Sequence, residues 1–230
     1  MKPAVSIALA LAALFMHTEC ATAANVTVIH GIDGRDLGLN RALPVDISVN
    51  DTCALKGVTF KQSAQVKLGA GDYNVKVFVA TGSCAGTAVI DKTVTIPESA
   101  ENEAFSLVAS LTGRGNPQLA VFQNTGIVWP LPGLSVRHLA KAGSVKVGFE
   151  YVEFGRRTPT EFSTIRNGKE VTRYVLGTKF QYRTSIDPSP AASVVTLKGD
   201  VRRTLRVLYV VGSAANGFSV ITENVKLRRN

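Results

Sequence analysis

The chain has 230 residues, 26 lysine and arginine residues against 17 aspartate and glutamate residues, and a formal net charge of +9. This length suits two small domains or one large sandwich. Aromatic residues make up 7% of the sequence, which is too few for a surface that reads nucleic-acid sequence by stacking on bases.

The amino terminus has the parts of an export signal. Residues 1–2 give a short positive start, residues 4–16 are apolar or small, and residues 21–23 form an A-x-A cleavage site. We expect cleavage after Ala23 and release into the periplasm or the medium. A transmembrane anchor would need about 18 apolar residues, more than this run contains. Lipidation at Cys20 is disfavoured because polar residues precede it.

Short alternating segments dominate the first half of the chain. The segment 69–80, with Tyr73, Val75 and Val77 on one face, has the period of two that predicts a half-buried central strand. Short strands between turn signals are typical of an antiparallel β-sandwich, immunoglobulin-like or related. In chain order, strands are expected at 25–30, 44–49, 65–68, 69–80, 88–96, 104–110 and 118–123.

The second half repeats this organisation less regularly. Asn167-Gly168 predicts a β-hairpin turn between two of its strands. The segment that starts at Phe105 aligns without a gap on the segment that starts at Leu205, and we interpret the chain as a tandem duplication. Strands are expected at 134–138, 143–149, 162–165 and 171–175, with a weaker copy of the central strand at 176–183.

The predicted organisation has four parts. Residues 1–23 are a signal peptide, and residues 24–124 form the first sandwich domain. Residues 125–133 contain two prolines and are interpreted as a linker. Residues 134–230 form the second, basic domain.

Removal of the leader leaves Cys53 and Cys84 as the cysteines of the exported chain. An even count in an oxidising compartment predicts a disulfide, and two buried free thiols are the alternative. Neither cysteine has a neighbouring histidine or a C-x-x-C spacing, so redox catalysis and zinc binding are poorly supported. The sequence predicts no cofactor and no metal.

Three segments of the first half carry a family resemblance: Val26–Gly31, Leu43–Asn50 and Leu68–Val77. Through them the chain resembles the bacterial domain-of-unknown-function family 4397. The resemblance implies an exported β-sandwich module, often present in tandem, without an established activity. The second half departs from the pattern, because Lys146 stands where the first half has Asp46.

His30 and His138 end the first strand of each half. We interpret them as structural residues that make strand-end hydrogen bonds; the alternative is a metal ligand or general base beside a carboxylate such as Asp46. No G-x-S-x-G or H-E-x-x-H motif is present. The sequence therefore predicts a protein that is not an enzyme, and a hydrolase site in the 31–46 loop, with Asp33 and Asp36, is an alternative.

Charge is unevenly distributed between the halves. Residues 24–126 contain 8 basic and 9 acidic residues, whereas residues 127–230 contain 17 basic and 7 acidic residues. Such a field attracts anionic polymers, although surplus cations also keep an exported chain soluble and protect sheet edges. The candidate polyanion-binding residues are Arg156, Arg157, Lys179, Arg183, Arg202, Arg203 and Arg206, in a wider basic set with Arg166, Lys169, Arg173 and Lys198.

These observations lead to one main functional hypothesis. We expect an exported, non-catalytic module whose second domain binds an anionic polysaccharide or lipid of the cell envelope or matrix. A structural protein that binds an envelope protein by sheet-edge pairing is the alternative. Sequence-specific nucleic-acid binding is not expected.

Overall fold

The computed structural model describes residues 23–98, 104–124, 133–153, 156–157, 160–174, 181–187 and 204–226. The predicted signal peptide up to residue 22 and the predicted linker up to residue 132 lie outside these ranges. Within the described residues, no helix is long and apolar enough to cross a membrane.

The described residues of the first half form strands and one short 3-10 turn. Their bounds are β1 (Ala24–His30), the 3-10 turn (Gly34–Leu37), β2 (Val45–Val49), β3 (Thr52–Val58), β4 (Ser63–Leu68), β5 (Gly71–Val79), β6 (Ile90–Ile96), β7 (Ala104–Leu111) and β8 (Pro117–Asn124).

Strands also make up the regular structure described in the second half. Their bounds are β9 (Gly133–His138), β10 (Ser144–Glu153), β11 (Arg156–Arg157), β12 (Glu161–Arg166), β13 (Lys169–Tyr174), β14 (Gln181–Asp187), β15 (Thr204–Ser213) and β16 (Gly217–Lys226).

These strands form two tandem β-sandwiches. The first consists of outer sheet 1, in the order β3-β2-β5-β6, and inner sheet 1, in the order β4-β1-β7-β8. The second consists of inner sheet 2, in the order β13-β9-β15-β16, and outer sheet 2, in which β10 pairs with β11, β12 and β14. The strand order of inner sheet 1 therefore recurs in inner sheet 2.

Three apolar clusters separate four sheet layers. Val26 and Leu107 of inner sheet 1 pack against Val77 of outer sheet 1, and Val136 of inner sheet 2 packs against Val147 of outer sheet 2. A third cluster joins the two inner sheets and contains Ile29, Val108 and Phe122 from the first sandwich and Val207, Tyr209, Val211 and Ile221 from the second. The inner sheets are thus buried on both faces, which explains the nearly continuous apolar sequence of β7 and β15.

A buried arginine lies between the inner sheets. Arg137 is 1% exposed, and its Nε lies 2.7 Å from Oε2 of Glu170. The same guanidinium donates to the hydroxyls of Ser106 and Tyr209 at 3.2 and 3.1 Å, and it lies 4.3 Å from the centre of the Phe122 ring. These hydrogen bonds supply the partners that a buried guanidinium requires, and they link the two sandwiches.

The fold is antiparallel except for one parallel pair in each sandwich. β1 pairs in parallel with β7, and β9 pairs in parallel with β15. The predicted antiparallel β-sandwich architecture is confirmed, and these two parallel pairs are an addition to it. The chain crosses to the outer sheet and returns between the paired strands, and such a long crossover allows parallel pairing.

Three sequence-based expectations need correction. The strand β3 was not predicted, because a register shift beside Ile47 and the positive φ of Gly57 disturb its alternation. Asn167-Gly168 is not a hairpin turn: β12 before it pairs with β10 in outer sheet 2, and β13 after it pairs with β9 in inner sheet 2.

The gapless alignment of Phe105 on Leu205 is wrong by one residue. His30 lies beside Ala109, and His138 lies beside Val210, so Phe105 corresponds to Arg206. A shift of one residue moves a side chain to the other face of the sheet. Accordingly, Phe105 packs inside the first sandwich, whereas Leu205 packs between the two inner sheets.

Candidate functional site

The second strands of the two sandwiches place Asp46 and Lys146 at equivalent positions. Val45 on β2 lies opposite Val58 on β3, and Val145 on β10 lies opposite Ile165 on β12. All four side chains are buried. After β3 and after β12, the chain continues into the inner sheet of the same sandwich. The residues that follow Val45 and Val145 both point away from the sandwich core.

Asp46 is fully buried on the outer side of β2. Its Oδ1 accepts a hydrogen bond from the backbone N–H of Gly57 at 2.9 Å. Its Oδ2 accepts from the N–H groups of Thr81, Gly82 and Cys84 at 2.9, 2.7 and 3.4 Å. Burial raises the pKa of the Asp46 carboxyl, but the four donors together lower it below its ordinary value. Asp46 therefore fastens a surface loop to the sheet.

A disulfide fastens the same loop a second time. Cys53 on β3 and Cys84 form a bridge with a Cα–Cα distance of 5.5 Å, which confirms the predicted pairing. Cys84 has a φ of 54°, a left-handed conformation that is unusual for a residue with a side chain. The Asp46 carboxylate and the disulfide together stabilise this conformation. They hold the loop that carries Cys84 over the outer side of β2, which is therefore covered.

In outer sheet 2, the position equivalent to Asp46 is exposed to solvent. Lys146 is exposed, and its Nζ lies 4.2 Å from the centre of the Phe162 ring. Phe162 is 58% exposed and lies opposite Gly148, which has no side chain to cover the ring. Arg166 lies further along β12 on the same side of the sheet and is also exposed. This group, Phe162 with Lys146 and Arg166, is called the Phe162 face below.

The predicted polyanion-binding residues fall into three groups. Arg206 on inner sheet 2 donates from its Nε to Oδ1 of Asn224 at 2.7 Å. In outer sheet 2, Arg156 and Arg157 form β11 beside the end of β10, and Arg183 belongs to β14, which also pairs with β10. Three other predicted residues lie outside the described residues: Lys179, Arg202 and Arg203.

The other members of the wider basic set are also dispersed. Lys169 begins the edge strand β13, while Arg173 lies 3.6 Å from the Glu161 carboxylate and so has a local counter-charge. Lys198 lies outside the described residues. Among the basic residues whose side chains are described, Lys169, Arg173 and Arg206 lie apart from one another, and Arg166 lies beside the newly identified Phe162 and Lys146.

The two histidines are buried and have matching contacts. Nδ1 of His30 accepts from the N–H of Ile32 at 3.4 Å, so its Nε2 carries the proton and donates to the Leu43 carbonyl at 2.8 Å. Nδ1 of His138 accepts from the N–H of Ala140 at 3.3 Å, and its Nε2 donates to a carbonyl in the following loop at 3.1 Å.

Burial lowers the pKa of both imidazoles below the ordinary value, although each hydrogen bond to a carbonyl opposes this effect. Both ring nitrogens of each histidine bond to the backbone. Asp46, the suggested carboxylate partner of His30, bonds instead to the loop that carries Cys84.

The acidic residues of the 31–46 loop have separate partners. Asp33 is buried and pairs with Arg35 and Arg41 at 2.7 and 3.7 Å. Burial raises the pKa of the Asp33 carboxyl, but hydrogen bonds and charge from Arg35 lower it overall. Oδ1 of Asp36 accepts from Ser213 and Asn216 of the second sandwich. No described group of three acidic, histidine or cysteine side chains could hold a metal ion.

Sequence reasoning missed Lys146 and Phe162 as members of a site. Lys146 was noted only as a departure from the first half, and Phe162 was assigned only to a predicted strand. The available signal was the alternation around Phe162 together with Gly148, which forms part of the strand that pairs with β12. Their proximity depends on cross-strand register, which a single sequence does not specify.

The fold and these contacts define an all-β protein of two β-sandwiches, one with a closed outer sheet and one with an exposed aromatic and cationic face. A family model, "Domain of unknown function (DUF4397)", matches residues 24–148. The chain belongs to this family, as the resemblance of the first half implied. The match extends beyond the first sandwich into β10.

No curated protein matches the sequence significantly. Among solved structures, a candidate cell adhesion protein from Bacteroides uniformis ATCC 8492 is 12% identical, with a TM-score of 0.27 and coverage of 92% of this chain and 99% of that chain. The module CBMbc of family CBM26 from Eubacterium rectale Amy13K, in complex with maltoheptaose, is 12% identical, with a TM-score of 0.24 and coverage of 90% and 98%.

A Streptococcal ancillary pilin is 14% identical, with a TM-score of 0.23 and coverage of 78% of this chain and 59% of that chain.

Proposed function

We propose that this protein is an exported, non-catalytic binding module that attaches to anionic polymers of the cell envelope or matrix through its second sandwich. Its proposed parts are the signal peptide 1–23, the domain 24–124, the linker 125–133 and the basic domain 134–230. The single observation that carries the proposal is the Phe162 face, where the exposed Lys146 and Arg166 lie on the same side of outer sheet 2 as the exposed Phe162 ring.

Charge supports this choice of partner. The second half has an excess of ten basic residues, whereas acidic residues slightly outnumber basic residues in the first half. In the register of outer sheet 2, Arg183 lies opposite Glu150 and Lys146 lies opposite Asp187. Binding through exposed cations is screened by salt, since such contacts weaken beyond a Debye length of about 10 Å at 0.1 M ionic strength.

The experiment uses the full exported chain on an alginate column with a salt gradient. The double variant Lys146→Glu and Arg166→Glu is expected to elute at lower salt than the wild type. A matched control, Lys56→Glu and Lys67→Glu, removes two exposed cations of the first sandwich and changes net charge equally. If both double variants elute together, net charge alone determines retention and the second sandwich has no binding face.

Lack of retention of the wild type at low salt would refute the proposal. A complex with an envelope protein that survives high salt would instead favour the sheet-edge alternative, because backbone pairing depends little on ionic strength. The full chain is required in either case. Separation of the halves would expose the apolar cluster between the inner sheets.

A further inference from the structure

The Phe162 face combines an exposed ring with positive charge. Among the described large hydrophobic side chains, Phe162 is the most exposed. Lys146 directs its ammonium group to the ring, and Gly148 leaves the neighbouring position of β10 without a side chain. A ring beside a cation can contact a ligand that has both an apolar C–H surface and a negative charge.

The residues along β12 extend this combination into a row. Phe162, Thr164 and Arg166 alternate on the outer side, with the buried Ile165 pointing to the core. Alternate residues of an antiparallel strand lie about 7 Å apart, so the row is about 14 Å long. Lys146 lies opposite Thr164 and therefore beside the middle of this row. The row offers, in sequence, a ring, a hydroxyl and a guanidinium.

We propose that the Phe162 face binds a chain of acidic sugar residues. One sugar ring stacks its C–H surface on Phe162, its carboxylate lies near Lys146, and the carboxylate of a following residue pairs with Arg166. The inference rests on the proposed function and narrows its ligand from anionic polymers in general to uronic acid chains. Arg166 suits a carboxylate because the guanidinium donates two parallel hydrogen bonds.

Two other anionic ligands fit this face less well. Single-stranded nucleic acid needs several stacking rings along a groove, and among the side chains of this sheet whose exposure is described, Phe162 is the exposed ring. A lipid surface needs a larger apolar area, whereas the described neighbours of Phe162 on β12 are polar. These ligands are used below as competing outcomes.

The test is calorimetric titration of the full exported chain with an oligomer of galacturonic acid. Phe162→Ala is expected to weaken binding about tenfold, because the stacked ring is lost. Lys146→Gln is expected to weaken binding by a similar factor and also to reduce its salt dependence. Leu39→Ala is the control, since Leu39 is 49% exposed on the first sandwich and lies outside the face.

Three further variants distinguish the aromatic ring from side-chain bulk and test the effect of a neighbouring charge. Phe162→Tyr keeps a ring and is expected to bind as the wild type does, whereas Phe162→Leu keeps only bulk and is expected to bind as weakly as Phe162→Ala. Asp187 occupies the register position opposite Lys146, so Asp187→Asn is expected to strengthen binding severalfold. Thermal midpoints near that of the wild type show that each variant folds.

Dextran sulfate, single-stranded DNA and vesicles of phosphatidylglycerol are the comparison probes. The inference is supported if Phe162→Ala weakens galacturonate binding but leaves dextran sulfate binding unchanged. Equal galacturonate binding by the wild type and Phe162→Ala overturns the inference and leaves the proposed function standing. Tighter, Phe162-dependent binding to DNA or vesicles overturns it in favour of that ligand. Failure of the wild type to bind any probe overturns the proposed function as well.

Discussion

Asp46 of the first sandwich and Lys146 of the second follow the same buried valine of the second strand and point to the same side of the sheet. Asp46 accepts four backbone N–H groups and holds a loop over the sheet. A lysine ammonium has three donors and no acceptor, so Lys146 could not hold that loop. At this position, Asp46 binds a loop that covers the first sandwich. Lys146 instead contributes positive charge to the exposed surface of the second sandwich.

The difference shows how a repeated fold can acquire a binding surface without a change in its core. Val45 and Val145 are both buried, so the two sandwiches pack these strands alike. The outward residue contributes little to that packing and is free to change. We expect the stability of the first sandwich to depend on the Asp46 hydrogen bonds and on the disulfide. The stability of the second sandwich should depend mainly on its apolar core.

The largest expected effect comes from loss of the disulfide. Cys53→Ser with Cys84→Ser opens a covalent loop with a sequence separation of 31. Loss of this constraint on the unfolded chain is expected to cost about 3 to 4 kcal/mol. Urea unfolding of the wild type with and without reductant measures the same difference. If the variant and the reduced protein match the oxidised wild type, the loop does not depend on the bridge.

The next effect in size is that of Asp46→Asn, which keeps the shape of the side chain and replaces one acceptor by a donor. The amide oxygen can keep the three N–H groups now bonded to Oδ2, but its NH₂ group then faces the N–H of Gly57, and the negative charge that strengthens all four hydrogen bonds is lost. We expect a destabilisation of about 3 kcal/mol. Lys146→Gln is the matched control and is expected to change the free energy of unfolding by less than about 0.5 kcal/mol. Equal losses from the two variants would contradict the comparison between the sandwiches.

Acid is expected to weaken the two sandwiches in a similar way. Burial lowers the pKa of His30 and His138, so the folded state binds protons less readily than the unfolded state below pH 6.5. Their contribution to stability is full above that pH and declines as the pH falls below it. The pKa values of Asp33 and Asp46 are also lowered, and these carboxylates stay charged at pH 5.

Urea unfolding at pH 7.5 and pH 5 measures this loss, which we expect to be smaller than that of Asp46→Asn. Glutamine has no titrating group, and its Nε2 can donate the hydrogen bond that histidine now donates. His30→Gln and His138→Gln should therefore each keep the fold and remove part of the pH dependence of the free energy of unfolding. An unchanged pH dependence in the double variant would exclude the histidines as its source.

The smallest expected effect comes from substitutions in two equivalent turns, one in each sandwich. Lys61 and Gly168 each donate a backbone N–H to the carbonyl of the preceding histidine, and they have φ values of 73° and 79°. Glycine adopts this conformation without strain, whereas lysine does not. Lys61→Gly is expected to stabilise the protein by about 0.5 kcal/mol, and Gly168→Lys to destabilise it by more. Thermal unfolding of both variants checks the opposite signs.

The sequence predicted most strands because alternation and turn residues are local signals. It also predicted the disulfide, since compartment and cysteine count require no knowledge of distance. It did not predict which sheet follows Asn167-Gly168, because that choice depends on the core that each strand joins. The exposure of Phe162 could not be predicted either. Alternation shows that β12 has two sides, but it does not show which side is exposed to solvent.

The parallel pair in inner sheet 1 gives the folding reaction an order. Asn25 lies beside Ala104, while Leu111 and Pro117 meet across the short turn between β7 and β8. Closing a longer loop costs more conformational entropy, and contacts between distant residues slow folding. The β7–β8 and β15–β16 hairpins are therefore expected to form early, with β1 inserted afterwards. Among the described strands, β1 is synthesised first and is expected to be among the last to pair.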